Sequence, residues 1–228
     1  MGGSGEGGHV GEANAPCKLA DDNRLYRFLR VTLGPAIRAL WLKRVQGLEH
    51  VPLRGGAILA SNHESYLDFL VVPVSGCRLP RYLVGEVFFE MPIIAWAFRT
   101  MGFIPINRRK AFNGNAFKQI LRHLRNGELV GVYPEGTRSP DGKLQPAQEG
   151  IAFLAHHSEM PVVPVAVVGT HEAWPKGGSP RAHCVEVRFG EPLKFSRAAY
   201  REDKRVLAST TRQIMQRIAI LAGEDYPW

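Results

Sequence analysis

His63 and Asp68 are the side chains whose types and spacing could do acid–base chemistry. They stand in Asn62-His63-Glu64-Ser65-Tyr66-Leu67-Asp68, directly after the apolar run Ala57–Ser61. A carboxylate that accepts from Nδ1 of a histidine leaves Nε2 free as a base. Within a helix, residues four apart share a face and residues five apart do not. The pair can therefore meet only if His63 lies in a turn between the strand and a following helix. A substrate hydroxyl would complete such a site without a serine or cysteine nucleophile. The same residue types also cap helices and favour the positive end of the helix dipole. Taken alone, the pair leaves both readings open.

Two further segments end in groups that suit an anionic ligand. Gly102–Asn107 reads as a short strand running into Arg108-Arg109-Lys110. Leu129–Tyr133 reads as a buried strand running into Pro134-Glu135-Gly136-Thr137-Arg138. Arginine binds phosphate through two parallel N–H donors, and turn amides near Gly136 can add more. A surface ion pair is the commoner fate of a single arginine. Two arginines at strand ends beside a histidine at a third make that fate less attractive here and leave a shared anion site open. His156-His157 and His171-Glu172 lack paired metal-ligand spacing such as HExxH, so no metal is expected. Gly3–Gly8 satisfies GxGxxG, but no strand precedes it and no helix follows closely, so a dinucleotide site is rejected.

These residues need elements to hold them. Strands are expected at Ala57–Ser61, Tyr82–Gly85, Phe103–Ile106, Leu129–Tyr133, Val162–Val168 and Val185–Phe189. Helices are expected near Tyr66–Val74, Pro92–Thr100, Ala111–Asn126, Gly150–His157 and Arg197–Ala222. The alternation predicts an α/β fold with a mostly parallel central sheet flanked by helices. Ligand sites in such folds gather at the carboxyl ends of the strands, where His63 falls. Before the sheet, Arg24 to Arg44 reads as an amphipathic helical element with Leu25, Phe28, Leu29, Thr32, Leu33, Ala36, Ile37 and Leu40 on one side. Arg27, Arg30 and Arg38 fall largely on the other. Gly34-Pro35 is expected to kink or split it. Its two readings are a helix lying in a membrane interface with cations against anionic lipid, and an ordinary helix packed on the domain.

The 228 residues are 45% hydrophobic, enough for one domain with a sizeable core. A net charge of +8 favours anionic partners: phospholipid headgroups, coenzyme A or nucleic acid. No nucleic-acid motif accompanies the charge. Cys17, Cys77 and Cys184 form no CxxC and read as free thiols of a reducing compartment. The apolar runs are too short to span a bilayer, and the glycine-rich N-terminus is unlike a signal peptide. The expected setting is the cytoplasmic face of a membrane, in peripheral or monotopic contact.

From about Gly47 to Gly190 the sequence resembles the 1-acylglycerol-3-phosphate acyltransferase family of glycerolipid acyltransferases. Four ordered motifs carry the resemblance: Asn62-His63 through Asp68, Gly102 through Arg108, Pro134 through Arg138, and the Val163-Pro164-Val165 strand. It implies transfer of an acyl chain from an acyl-coenzyme A or acyl carrier protein thioester to the free hydroxyl of 1-acylglycerol-3-phosphate, giving phosphatidic acid, without a cofactor. It assigns His63 and Asp68 to catalysis, and Arg108, Glu135, Gly136, Thr137 and Arg138 to the acceptor. It divides the chain into a flexible tail at 1–20, a membrane-associating helical segment at 21–46 and an acyltransferase domain at 47–228. Backbone amides at the helix start after His63 are expected to bind the tetrahedral oxyanion. Ala147-Gln148-Glu149-Gly150 stands where the family often has Phe-Lys-x-Gly, and Tyr133 stands where Phe is usual. The missing lysine leaves open another lysophospholipid or a glycolipid as acceptor, or a lipid-binding relative without catalysis.

Overall fold

A computed structural model of the chain describes residues 23–76, 78–107 and 114–228. The 1–20 segment, Cys17, Cys77 and Arg108 with Arg109 and Lys110 lie outside the described residues.

The chain enters through helix α1 (Arg24–Leu40), capped by Asn23, whose side chain accepts from the Tyr26 amide at 2.9 Å. Strands β1 (Leu42–Gln46) and β2 (Ala57–Ser61) follow, then α2 (Asp68–Ser75), β3 (Pro80–Gly85), α3 (Pro92–Thr100), β4 (Ile104–Ile106), α4 (Gly114–Arg125) and β5 (Leu129–Val132). The second half holds α5 (Gly150–Ser158), β6 (Val162–Val168), α6 (Thr170–Ala173), β7 (Val185–Phe189), α7 (Arg197–Glu202) and α8 (Val206–Ala222). Among the described residues, seven strands form one sheet in the order β1-β7-β6-β2-β5-β3-β4. The five strands from β6 to β4 run parallel; β7 is antiparallel to β6, and β1 is parallel to β7. The expected α/β architecture is the one observed.

Both faces of the sheet are covered, which is why β2 is buried along its whole length. Alternation sends Ala57 and Leu59 to one face, where they meet Val71, Val72 and Val74 of α2 and Ile37 of α1. Ile58 and Ala60 point to the other face, against Ile120 and Leu124 of α4, Ile151 and Leu154 of α5, and Ile214 and Met215 of α8. In the middle of β5, Gly131 leaves room for the Tyr82 ring. A Cβ there would lie 2.4 Å from Tyr82 Cε1. Tyr82 is itself wedged among Phe69, Phe103 and Tyr133 and has nowhere to move. Gly131→Ala is expected to cost about 1–3 kcal/mol of stability, read as a lower urea midpoint with an unchanged slope.

Three expectations are corrected. Residues 42–46 are an edge strand, not the end of a helix: Leu42 faces the core, and the pairing with β7 shifts register between Leu42 and Arg44. Gly34-Pro35 does not split α1. Proline removes one backbone donor at a cost of about 3 kcal/mol, and the helix is fastened on both sides of it. Tyr26 Oη donates to Pro73 O at 2.8 Å, and Arg38 Nη2 donates to Val74 O at 2.6 Å. The segment Arg197–Ala222 is two helices, because Asp203 leaves helical geometry and its carboxylate accepts from the Arg205 amide at 2.9 Å.

Candidate active site

The carboxyl ends of β2, β5 and β6 lie side by side at the middle of the sheet. After Ser61 the main chain turns out of β2, and Asn62 prolongs the ladder with its side chain. Its Nδ2 donates to Val167 O and its Oδ1 accepts from Val167 N, both at 2.8 Å. A side-chain amide thus does what a peptide group would do, and the main chain is free to swing His63 outward.

His63 is then clamped by the turn after β5. Its N–H donates to Glu135 Oε1 at 3.0 Å, and its carbonyl accepts from the Ser139 amide at 2.7 Å. The ring stacks on Tyr133 at a centroid distance of 3.9 Å and meets Phe69 edge-on at 5.4 Å. Asp68 is the first residue of α2, so the five-residue offset spans a turn, as the spacing requires. Asp68 Oδ2 accepts from His63 Nδ1 at 2.8 Å, from Glu64 N at 2.9 Å and from Ser65 N at 3.0 Å. Three donors on one oxygen fix the carboxylate, and the carboxylate fixes the imidazole with Nε2 free to take a proton.

Two groups named from the sequence already have partners within the fold. The Glu64 and Ser65 amides donate to Asp68, so the amides nearest His63 are committed to the carboxylate and do not wait for an oxyanion. Glu135, assigned by resemblance to the acceptor, is 4% exposed and turns inward. Its Oε1 accepts from His63 N and its Oε2 from the Gln145 amide at 3.0 Å, so it braces the turn that carries His63. Gly136 has φ +70°, and its amide donates to Tyr133 O at 3.0 Å, closing the turn. Thr137 is exposed beside it, and Arg138 is half-buried with its guanidinium carbon 3.7 Å above the Tyr66 ring.

A continuous apolar groove of about 270 Å³ approaches this site. Leu29, Leu33 and Ile37 of α1 form one wall; Tyr66 and Phe69 form the end nearest His63.

A sequence profile of the family described as Acyltransferase matches residues 43–168, more than half of the chain. The chain belongs to the acyltransferase family. It is 33% identical over 158 residues to a chloroplastic 1-acyl-sn-glycerol-3-phosphate acyltransferase of Brassica napus, an alignment covering 68% of this chain and 46% of that one. The chain thus spans about half the length of the plant relatives it matches. It is 26% identical to a 1-acyl-sn-glycerol-3-phosphate acyltransferase of Bacillus subtilis, with 88% of this chain and 98% of the relative covered. Its fold is similar to the crystal structure of the 1-acyl-sn-glycerophosphate acyltransferase of Thermotoga maritima, with a TM-score of 0.68, 22% identity, and 86% and 79% of the two chains covered.

Where the family resemblance leads one to expect Phe-Lys-x-Gly, this chain has Gln148, which packs on the turn at Gly136. A Cβ on Gly136 would lie 2.8 Å from Gln148 Nε2. Asn62, Glu64 and Tyr66 lie within the first motif, which gave them no role; here Asn62 and Glu64 bond to one another at 2.8 Å and Tyr66 lies under Arg138. Burial pushes the Glu64 carboxyl up to about 9, with the Asp68 charge adding to the rise. Burial also pushes Glu135 up to about 8, against the pull of the His63 and Gln145 amides. Both carboxyls hold protons in the fold that the unfolded chain releases near the ordinary value of 4.5. Their contribution to stability is therefore complete below that value and is lost as pH rises through about 8 and 9. The thermal midpoint is expected to fall between about pH 5 and 9, and Glu64→Gln should flatten part of that slope. A midpoint that rises across this window would contradict it.

Proposed function

We propose that the chain moves a fatty acyl group from a coenzyme A or acyl carrier protein thioester to the free hydroxyl of 1-acylglycerol-3-phosphate, giving phosphatidic acid. The observation that carries this reading is the buried His63–Asp68 pair, held at 2.8 Å with three donors on one carboxylate oxygen. The names of the plant and Bacillus relatives support the substrate class.

In this mechanism the acceptor hydroxyl gives its proton to His63 Nε2 as its oxygen attacks the thioester carbonyl. Asp68 stabilises the imidazolium that forms. Collapse of the tetrahedral intermediate breaks the carbon–sulfur bond, and the imidazolium returns its proton to the departing thiolate. Arg138 meets the acceptor phosphate, and Arg108, which follows Asn107 in the sequence, is proposed to join it. The apolar groove takes an acyl chain.

The same reading places the protein on the cytoplasmic face of a membrane. Among the described residues no helix is long and apolar enough to cross one. Phe28, Val31, Leu33 and Leu40 of α1 are nevertheless about half exposed or more. The contact proposed is apolar more than ionic, because Arg38 is turned onto α2 and Arg30 onto the Tyr26 hydroxyl. The test crosses coenzyme A and carrier-protein thioesters against a panel of lysolipids with purified protein. The expected result is highest turnover with the glycerol-3-phosphate headgroup. A preference for another lysolipid would move the acceptor, and no turnover with any pair would sink the catalytic reading.

A further inference from the structure

Tyr66 lies between His63 and Asp68 in the catalytic turn, yet its side chain does not serve that hydrogen-bonded pair. It is 39% exposed, so burial in the core does not explain it. Two neighbours hold the ring in place. Phe88 meets it edge-on at 6.3 Å, and Trp174 meets it at 5.9 Å with the planes 65° apart. Trp174 is itself tied to the turn, because its carbonyl accepts from Ser65 Oγ at 2.7 Å. The ring is thus fixed relative to His63.

Arg138 Cζ lies 3.7 Å from the Tyr66 centroid, well inside the reach of a cation–π contact. Among the described residues no carboxylate lies within ion-pair distance of Arg138. The contact is made at the guanidinium carbon, and N–H donors turned away from the ring can make two parallel bonds to a phosphate. Tyr66 also lines the apolar groove. One ring therefore borders the path of an acyl chain and supports the cation that suits a phosphate.

We infer that Tyr66 is a positioning residue that holds the Arg138 guanidinium flat at the junction of groove and anion site, and so sets where the acceptor phosphate sits relative to His63. This rests on the acyl-transfer reading above. A long arginine left free would lose several rotors on binding phosphate, and the ring removes much of that freedom beforehand.

The experiment measures acceptor KM and kcat with 1-acylglycerol-3-phosphate at saturating acyl-coenzyme A. Tyr66→Phe keeps the π face and should behave as wild type. Tyr66→Leu keeps an apolar side chain and removes that face, and should raise KM roughly 2- to 30-fold with kcat nearly constant. On an Arg138→Ala background, which raises KM by itself, Tyr66→Leu should add little. Phenylalanine analogues at 66 with increasing fluorination keep the ring's shape, so they test the contact even if the leucine variant folds poorly. KM should climb step by step with fluorination. A flat KM across that series, or a leucine effect confined to kcat, would overturn the inference. Full additivity with Arg138→Ala would overturn it too while leaving the acceptor site intact. If Arg138→Ala leaves acceptor KM unchanged, the phosphate assignment of Arg138 fails, and the role of Tyr66 fails with it.

Discussion

His63→Ala is expected to lower acyl transfer by roughly 10²- to 10⁴-fold or more, to the level of bound but uncatalysed substrates. The acceptor hydroxyl is a very weak acid, and its proton must leave as the new carbon–oxygen bond forms. The only ring nitrogen free to take it is Nε2, because Nδ1 is engaged by Asp68 at 2.8 Å. The loss should fall on kcat, since the groove and Arg138 are left in place. The imidazole also packs between Tyr133 and Phe69, so alanine opens a space in a tight aromatic cluster. His63→Phe restores the stacking without the nitrogens and separates the two effects: it should fold well and remain inactive. Retention of more than a few per cent of wild-type turnover by either variant would remove His63 from the mechanism.

Asp68→Asn should cost on the order of 10²- to 10⁴-fold in kcat with little change in acceptor KM. Asparagine is the informative replacement because the Glu64 and Ser65 amides also point at Oδ2. Those donors select the orientation in which the asparagine oxygen, not its NH2, faces them. The imidazole then keeps a neutral acceptor at Nδ1 and loses the negative charge that stabilises its protonated form. Alanine would instead strand two buried amide donors and disturb the turn itself. Equal losses in Asp68→Asn and Asp68→Ala, with equal unfolding midpoints, would show that the charge and not the scaffold carries the effect. Wild-type kcat in Asp68→Asn would mean that the charge is dispensable.

Much of this arrangement was legible in the chain. The strands Ala57–Ser61 and Val162–Val168 are short apolar runs, Val185–Phe189 alternates apolar with charged residues, and all three form as expected. The spacing of His63 and Asp68 allowed them to meet only across a turn, and across a turn they do meet. Strand β1 was hidden because its apolar residues, Leu42 and Val45, stand three apart like those of a helix, and the register shift between Leu42 and Arg44 accompanies the missing period of two. The role of Glu135 was hidden for a different reason. A motif shows that a carboxylate is present but not which way it points, and here it points at two amides of other segments. The contacts of Tyr66 and Tyr133 bring together rings from separate loops, and no local pattern encodes them.

The Asn62 side chain has a consequence for how the site can be watched. Val167 N–H is protected from solvent by a side chain rather than by the neighbouring strand, so its exchange with solvent requires that contact to open. Opening it frees the residue next to His63. The exchange rate of this one amide therefore reports how often the turn that carries His63 comes loose while the rest of the sheet stays closed. In a fold whose central strands exchange only on global unfolding, Val167 would be the proton that leaves early.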